Sequence, residues 1–281
     1  MNDCTSKSLP RTCPRILLGM PVYNEEKYVA RVIGEVRKYF PEPQRAGRRE
    51  QADTARSPYC NTGTILVIDD GSTDSTPMLL AQQPVEVIRH AENRGYGRSM
   101  QDMIRWASFD GFDWLITMDC DEQHEPAAIP RFIERIMADN ADVVSGSRYL
   151  SSTPLDDAPP SDRRAINATI TKELNERLGL QLTDAFCGFK AYRVSACEKL
   201  CLDVDGYEFP MQFWVQAVAN DLRIEELPVR LIYNDPTRSF GGPLDDPTSR
   251  LEHYRATMER EMAHCASRLI AKNGAASSRV R

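Results

Sequence analysis

Residues 113–126 read DWLITMDCDEQHEP. The apolar run ends abruptly in Asp119, Asp121 and Glu122, three acids within four residues. Like charges crowded at a strand exit repel one another, so a segment needed only as a strand gains nothing from them, and a positive partner is expected there. Asp119 and Asp121 alternate as the chain leaves the strand, a spacing that lets both carboxylates reach one hard divalent ion. Mg2+ or Mn2+ takes oxygen ligands, commonly one or two carboxylates plus substrate phosphates. Two other uses compete. The acids could cap a helix starting near Pro126, although Glu122 or His124 would serve for that alone. A phosphatase nucleophile of D-x-D type would follow the first strand and continue with Thr or Val two residues later, whereas this motif continues Glu122-Gln123. His124 reads as a metal ligand, as a surface loop residue or as support behind the ligands.

The motif sits in a repeating rhythm. Short runs rich in β-branched and aliphatic residues occupy 15–22, 64–70, 85–90, 114–119 and 142–147, bounded by Gly, Asp or Asn. Between them, Val29, Val32, Ile33, Val36 and Phe40 fit one helix face, Met100, Met103, Ile104 and Ala107 a second, and Ile129, Phe132, Ile133 and Ile136 a third. Alternating continuous apolar strands and helices predict an α/β fold: a mainly parallel central sheet with helices on both faces. Such sheets bind ligands at the carboxyl ends of their strands, where the polar clusters here also lie. Residues 41–62 have the composition of a polar surface insertion and 151–162 that of a mobile flap. A helix is expected over 163–178, strand character near 223–233 and a charged amphipathic helix around 248–270. No internal repeat is visible.

The bulk numbers set the class. The chain has 281 residues, 41% of them hydrophobic and 27% charged, as in an ordinary globular protein. A net charge of −6 argues against a nucleic-acid partner, which would call for a basic face. No stretch approaches the ~18 apolar residues of a spanning helix, and the N-terminus lacks the apolar core of a signal peptide, so a cytoplasmic location is expected. The eight cysteines form no CxxC pair and are expected to be free, mostly buried thiols.

Three more clusters follow strand ends. PVYNEE (21–26) follows the first, DDGSTDST (69–76) the second and AENRGYGRSM (91–100) the third. Each alone is good turn and capping chemistry. At one edge of one sheet they suit a nucleotide, because Tyr23 can stack on a base and carboxylates can accept from base N–H and ribose hydroxyl groups. With N-R-G-x-G (93–97) and D-x-D-x-Q-H-x-P (119–126), the set closely resembles the family 2 inverting glycosyltransferases of the GT-A fold. GSRY (146–149) and TDAFCGFKAYR (183–193) narrow the resemblance to the dolichyl- and polyprenyl-phosphate mannosyltransferases.

The resemblance implies that Pro21, Tyr23, Glu25 and Asp70 hold base and ribose, that Asp119 and Asp121 bind a metal–diphosphate, and that Gln123 lies near the donor sugar. Asp121, Gln123 and Arg148 are then the expected catalytic residues, and Arg148, Arg163, Arg164 and Arg238 the expected acceptor-phosphate residues. Lys190 and Arg193 add positive charge. The expected partners are a nucleotide-diphosphate sugar and a polyprenyl phosphate, with peripheral contact to the cytoplasmic membrane face and no nucleic acid. The expected organisation is a flexible N-terminus (1–14), a GT-A domain (15–235), a C-terminal loop and helix packed on it (236–270) and a disordered tail (271–281).

A lipid phosphate is already anionic, so it needs cations to position it more than a base to deprotonate it. A hydroxyl acceptor would need a carboxylate base. Two departures from the family limit the carry-over. Gln212 in GYEFPMQFW (206–214) stands where many relatives carry Glu, and YNDPTRSFGGPLDDP (233–247) replaces an R-x-x-G-x-S-K segment. Ile166, Ile170, Leu174 and Leu178 at helical spacing are expected to pack on the core, with a membrane-facing role as the alternative. The competing functional readings are the same fold acting on a glycan or small-molecule hydroxyl, and a non-catalytic nucleotide-sugar binder.

Overall fold

The computed structural model of the chain describes residues 13–41, 63–234 and 242–270. The expected insertion from residue 42 on, the tail from 271 and the loop carrying Arg238 lie outside the described residues. Five expected strands are present as β1 (Ile16–Val22), β2 (Thr64–Asp69), β3 (Glu86–Arg89), β4 (Trp114–Thr117) and β5 (Val143–Ser147). With β6 (Lys190–Arg193) and β7 (Ile224–Pro228) they form one seven-stranded sheet ordered β3-β2-β1-β4-β6-β5-β7. All neighbours are parallel except β6, which runs antiparallel to both β4 and β5.

Alternation along the strands feeds two cores. Ile16, Leu18, Ile65, Val67 and Ile116 pack with Val32, Ile33 and Val36 of α1 (Val29–Tyr39) and Phe132 and Ile133 of α4 (Ile129–Ala138). Leu17, Leu66, Ile68 and Leu115 point the other way, toward Met100 and Met103 of α3 (Tyr96–Phe109) and Ile170 and Leu174 of α5 (Ser161–Leu178). Phe213 and Trp214 of α7 (Phe209–Ala219) and Met258 of α8 (Pro247–His264) join that second core. Burial on both faces is why these strands read as continuous apolar runs rather than half-polar ones. Each fully buried aliphatic or aromatic side chain contributes on the order of 1.5–3 kcal/mol. The short α2 (Thr76–Leu80) and α6 (Val194–Cys197) complete the set.

Burial and hydrogen bonding bear on several of these expectations. α7, FPMQFWVQAVA, is buried nearly all round, so it carries no apolar stripe for periodicity to reveal. Ile166, Ile170 and Leu174 are buried in the core, which excludes a membrane-facing role for that stripe. Among the described residues no helix is long and apolar enough to cross a membrane. The segment read as a mobile flap is bonded to the chain after β7: Asp157 N–H donates to the Leu231 carbonyl at 3.0 Å and Tyr233 N–H to the Asp157 carboxylate at 2.8 Å. Cys120, Cys187, Cys197, Cys201 and Cys265 are free thiols, but Cys13 is disulfide-bonded.

At the amino end of β5, Asp142 ties three strands together. It accepts from Arg193 Nε at 2.9 Å, at the end of β6, and from Arg223 Nε and Nη2, just before β7, at 3.0 and 2.9 Å. Arg193 also lies 4.6 Å over the Trp114 ring. Arg193 therefore sits at the end of the sheet opposite the expected site and is not part of its positive charge. The Arg223 hydrogen bond leads the forces that hold the Asp142 carboxyl down at about 2, with burial opposing and Arg193 assisting. Because the folded value lies below the unfolded one, this stabilisation is complete above the ordinary Asp range near ~3.9 and disappears as pH falls through about 2. Asp142→Asn should lower the denaturant midpoint at pH 7, and the gap to wild type should narrow between pH 4 and 2; a gap that is constant with pH contradicts the pairing.

Candidate active site

Parallel β1, β2, β4 and β5 present their carboxyl ends along one edge, and antiparallel β6 brings its amino-terminal flank to the same edge. Thr117 pairs with Lys190, Thr117 Oγ1 donates to the Gly188 carbonyl at 2.8 Å, and Gly146 N–H donates to the Phe189 carbonyl at 2.8 Å. A cleft of about 710 Å3 opens along this edge. Its wall brings together Pro21, Tyr23, Glu25, Asp70, Asp119, Asp121, Gln123, Arg148 and Arg163.

At one end the first two strand ends are clasped together. Asn24 adopts a left-handed conformation (φ 56°), its N–H donating to Ser72 Oγ at 2.9 Å while its side-chain oxygen accepts from Thr73 N–H at 2.8 Å. Glu25 N–H donates to Thr76 Oγ1 at 2.9 Å. Asp70 is buried and accepts from the Arg94 and Gly95 N–H groups at 2.8 Å each, so its carboxylate shapes the N-R-G-x-G loop as well as lining the cleft. The glycines of that loop admit protein backbone: a Cβ at Gly97 would lie 2.1 Å from the Val204 carbonyl oxygen, and one at Gly95 (φ 102°) 2.3 Å from that of Asp205.

In the middle stand Asp119 and Asp121. Asp119 N–H donates to His124 Nδ1 at 2.9 Å, and His124 Nε2 lies 3.7 Å from the Asp119 carboxylate. His124 is buried against Phe189, outside the cleft wall, so it supports Asp119 from behind. Asp121 accepts from Gln123 N–H at 3.0 Å, and its carbonyl accepts from Asn234 Nδ2 at 3.1 Å. Glu122 turns aside in a left-handed conformation (φ 62°) and pairs with Arg31 Nη2 at 2.6 Å. Among the described residues no cluster of three or more His, Cys, Asp or Glu could hold a metal by itself. Two carboxylates facing a cleft leave coordination positions for phosphate and water, the arrangement Mg2+ and Mn2+ favour, and softer metals would want nitrogen or sulfur donors.

The other end is cationic. Arg148 Nε and Nη2 donate to the two oxygens of Asp184 at 2.6 and 2.9 Å, and Asn167 Nδ2 donates to the same carboxylate at 2.8 Å. Burial would raise the Asp184 pKa, yet Arg148, with Asn167 and Lys190, holds it well below the carboxylate range. A two-pronged, charge-assisted pair of this kind fixes the plane of the guanidinium. Arg163 lies 5.6 Å over the Tyr233 ring at the cleft wall.

Several charges expected here are elsewhere. Arg164 is not in the cleft wall; its guanidinium sits 3.7 Å over the Tyr149 ring. Lys190 is buried beneath the cleft, donating to the Cys187 carbonyl, and burial lowers its pKa. Gln212 is buried off the cleft and accepts from the Asp203 and Val204 N–H groups at 2.9 and 3.0 Å, so its replacement of Glu affects a loop clamp rather than the reacting centre. Arg238 lies outside the described residues. Conversely, Arg250 and Tyr254 of α8 line the cleft, and Arg250 Nη2 donates to Asp162 at 2.8 Å. Their signal in the sequence is faint: Arg250, Tyr254, Met258 and Glu261 share one buried helix face that mixes polar and apolar residues.

The family model for glycosyl transferase family 2 matches residues 18–201. The chain belongs to that family. This glycosyltransferase is 29% identical over 226 residues to the undecaprenyl-phosphate mannosyltransferase of Micrococcus luteus, covering 78% of this chain and 84% of that one. It is 27% identical over 228 residues to the polyprenol monophosphomannose synthase of Mycolicibacterium smegmatis, covering 78% of each. Among solved structures, glucosyl-3-phosphoglycerate synthase from Mycobacterium tuberculosis with uridine diphosphate superimposes with a TM-score of 0.62 at 17% identity, covering 90% of this chain and 80% of that one. The enzyme has the GT-A fold, and the polyprenyl-phosphate mannosyltransferases are among the proteins it resembles.

The approach of β6 to Asp119 gives a direct test. A Cβ at Gly188 would come within 2.6 Å of Asp119 Oδ2. Gly188→Ala should leave the protein folded by circular dichroism while lowering kcat/KM by about 100-fold, the usual cost of a misplacement near 1 Å. Unchanged kinetics would show that Asp119 does not need this position.

Proposed function

We propose that the enzyme moves a hexose, mannose or glucose, from a nucleoside-diphosphate sugar to a polyprenyl phosphate in one inverting displacement, using Mg2+ or Mn2+. The observation that carries this reading is the polarity of one cleft: in the order of the sheet, Asp70 and Tyr23 follow β2 and β1, the Asp119–Asp121 pair follows β4 and Arg148 follows β5, with Arg163 and Arg250 also lining the cleft. Pro21, Tyr23, Glu25 and Asp70 form the nucleotide end. Asp119 and Asp121 would hold the divalent ion, whose bound chemistry is to neutralise the departing diphosphate. Gln123, beside Asp121, faces the donor sugar.

Arg148 and Arg163 orient the acceptor phosphate for in-line attack, and the Asp184 clamp keeps the Arg148 guanidinium from collapsing onto the carboxylate pair. The cleft carboxylates other than Asp119 and Asp121 are Glu25, Glu26, Asp70 and Asp74, all on the two clasped loops of the nucleotide end. No described carboxylate of the cationic wall is therefore placed as a base, which favours an acceptor that is already anionic over a hydroxyl. The names of the M. luteus and M. smegmatis relatives support the same acceptor class. Such an acceptor brings the enzyme to the membrane surface as a peripheral protein at its cytoplasmic face.

Purified protein incubated with Mn2+, a short polyprenyl phosphate and either GDP-mannose or UDP-glucose should yield a lipid-linked sugar with one of the donors. Asp121→Ala should lower that rate by roughly 1,000-fold, and chelation should abolish it reversibly. Transfer only to hydroxyl acceptors would replace the acceptor reading, and full activity of Asp121→Ala would remove the metal site.

A further inference from the structure

Behind the nucleotide end runs a chain of groups that the reaction itself does not use. His90 follows β3 and is buried; its Nδ1 lies 2.6 Å from Asp70 Oδ1 and its Nε2 3.1 Å from Asp102 Oδ2 on α3. Asp102 also accepts from Arg98 Nε at 2.8 Å and Arg105 Nη1 at 2.9 Å. Burial opposes its ionised form, but these arginines and His90 together hold its pKa down, so the far end of the chain is a fixed negative charge. The near end is the carboxylate whose two oxygens accept the Arg94 and Gly95 N–H groups. Rotation of that carboxylate would break both loop bonds, and Asn93, Gly95 and Tyr96 of the same loop line the cleft.

We infer that His90 is a positioning residue for the donor nucleotide: through its Nδ1 contact it locks the rotation of Asp70 and, through Asp70, the 93–96 wall of the nucleotide end. The inference rests on the donor reading above and adds a residue outside the cleft wall that sets donor affinity. The two ring nitrogens can be separated by isosteric choice. His90→Asn places an amide nitrogen near the Nδ1 position and retains the Asp70 contact while losing Asp102. His90→Gln reaches toward the Nε2 position and retains Asp102 while losing Asp70.

Steady-state kinetics with the nucleotide sugar that wild type turns over give the test. His90→Gln should raise donor KM about tenfold, equivalent to ~1.4 kcal/mol, with acceptor KM within about twofold. His90→Asn should raise donor KM by no more than about threefold. Each variant loses one buried hydrogen bond, so a purely structural role predicts equal effects; indistinguishable donor KM values, or a matching rise in acceptor KM, overturn the inference. If either variant does not fold, Asp102→Asn, which leaves the Asp70 contact intact, should keep donor KM within about threefold, and a tenfold rise there overturns it. A wild type that turns over no nucleotide sugar overturns the donor reading and this inference with it, whereas turnover with indistinguishable variants overturns the inference alone.

Discussion

The antiparallel insertion of β6 between β4 and β5 is the constraint on which the rest depends. In a wholly parallel sheet the edge of carboxyl ends would receive only loops that leave strands. Reversing one strand makes a loop arrive there instead, so residues 184–189 enter the cleft already pinned by the Thr117–Lys190 pairing. The fit leaves no room for a side chain at 188, because the Asp119 carboxylate occupies that space. The same reversal sets Asp184 against Arg148 at the end of β5, so one topological choice places both the acidic centre and the cationic wall.

That wall also explains how an acidic chain builds a local site for anions. Arg148 is largely buried, and a buried guanidinium without a partner would carry a large desolvation cost. Asp184 offsets it at fixed geometry, and Asn167 and the Glu226-bonded backbone of Thr183 and Asp184 hold that carboxylate in turn. The ion pair is a device for orientation more than for stability, since pairing of this kind returns little net free energy once desolvation is counted. The metal pair is arranged differently. Asp119 and Asp121 are bonded through backbone and neighbouring groups that leave their carboxylates on the cleft wall.

Much of the fold was legible because a doubly covered sheet writes itself plainly. β1 to β5 and the stripes on α1, α3 and α4 are dictated by burial periodicity, and the motifs at their ends identified the family. Other features were hidden for physical reasons. β6 is only four residues long and its direction has no local signature; α7 is apolar on every side. Gln212 was weighed by its place in a motif, yet its partners are backbone N–H groups in a loop eight and nine residues earlier, a contact that spacing does not announce. Lys190 and Arg193 carry the right charge but sit under the cleft and at the opposite end of the sheet. Arg250 reaches the cleft from a helix distant in sequence. Charge type is readable residue by residue, whereas convergence on one point is a property of the packed chain.

The central claim is that Asp119 and Asp121, held where β6 meets β4, carry the donor diphosphate through a divalent ion. The most direct measurement is anomalous scattering from crystals grown with Mn2+ and a nucleoside diphosphate. The account predicts one manganese peak within coordination distance, about 2.0–2.3 Å, of a carboxylate oxygen from this pair and of a diphosphate oxygen, with the base beside Tyr23 and Asp70. A nucleotide bound in the cleft with manganese elsewhere, or with no manganese, would contradict it.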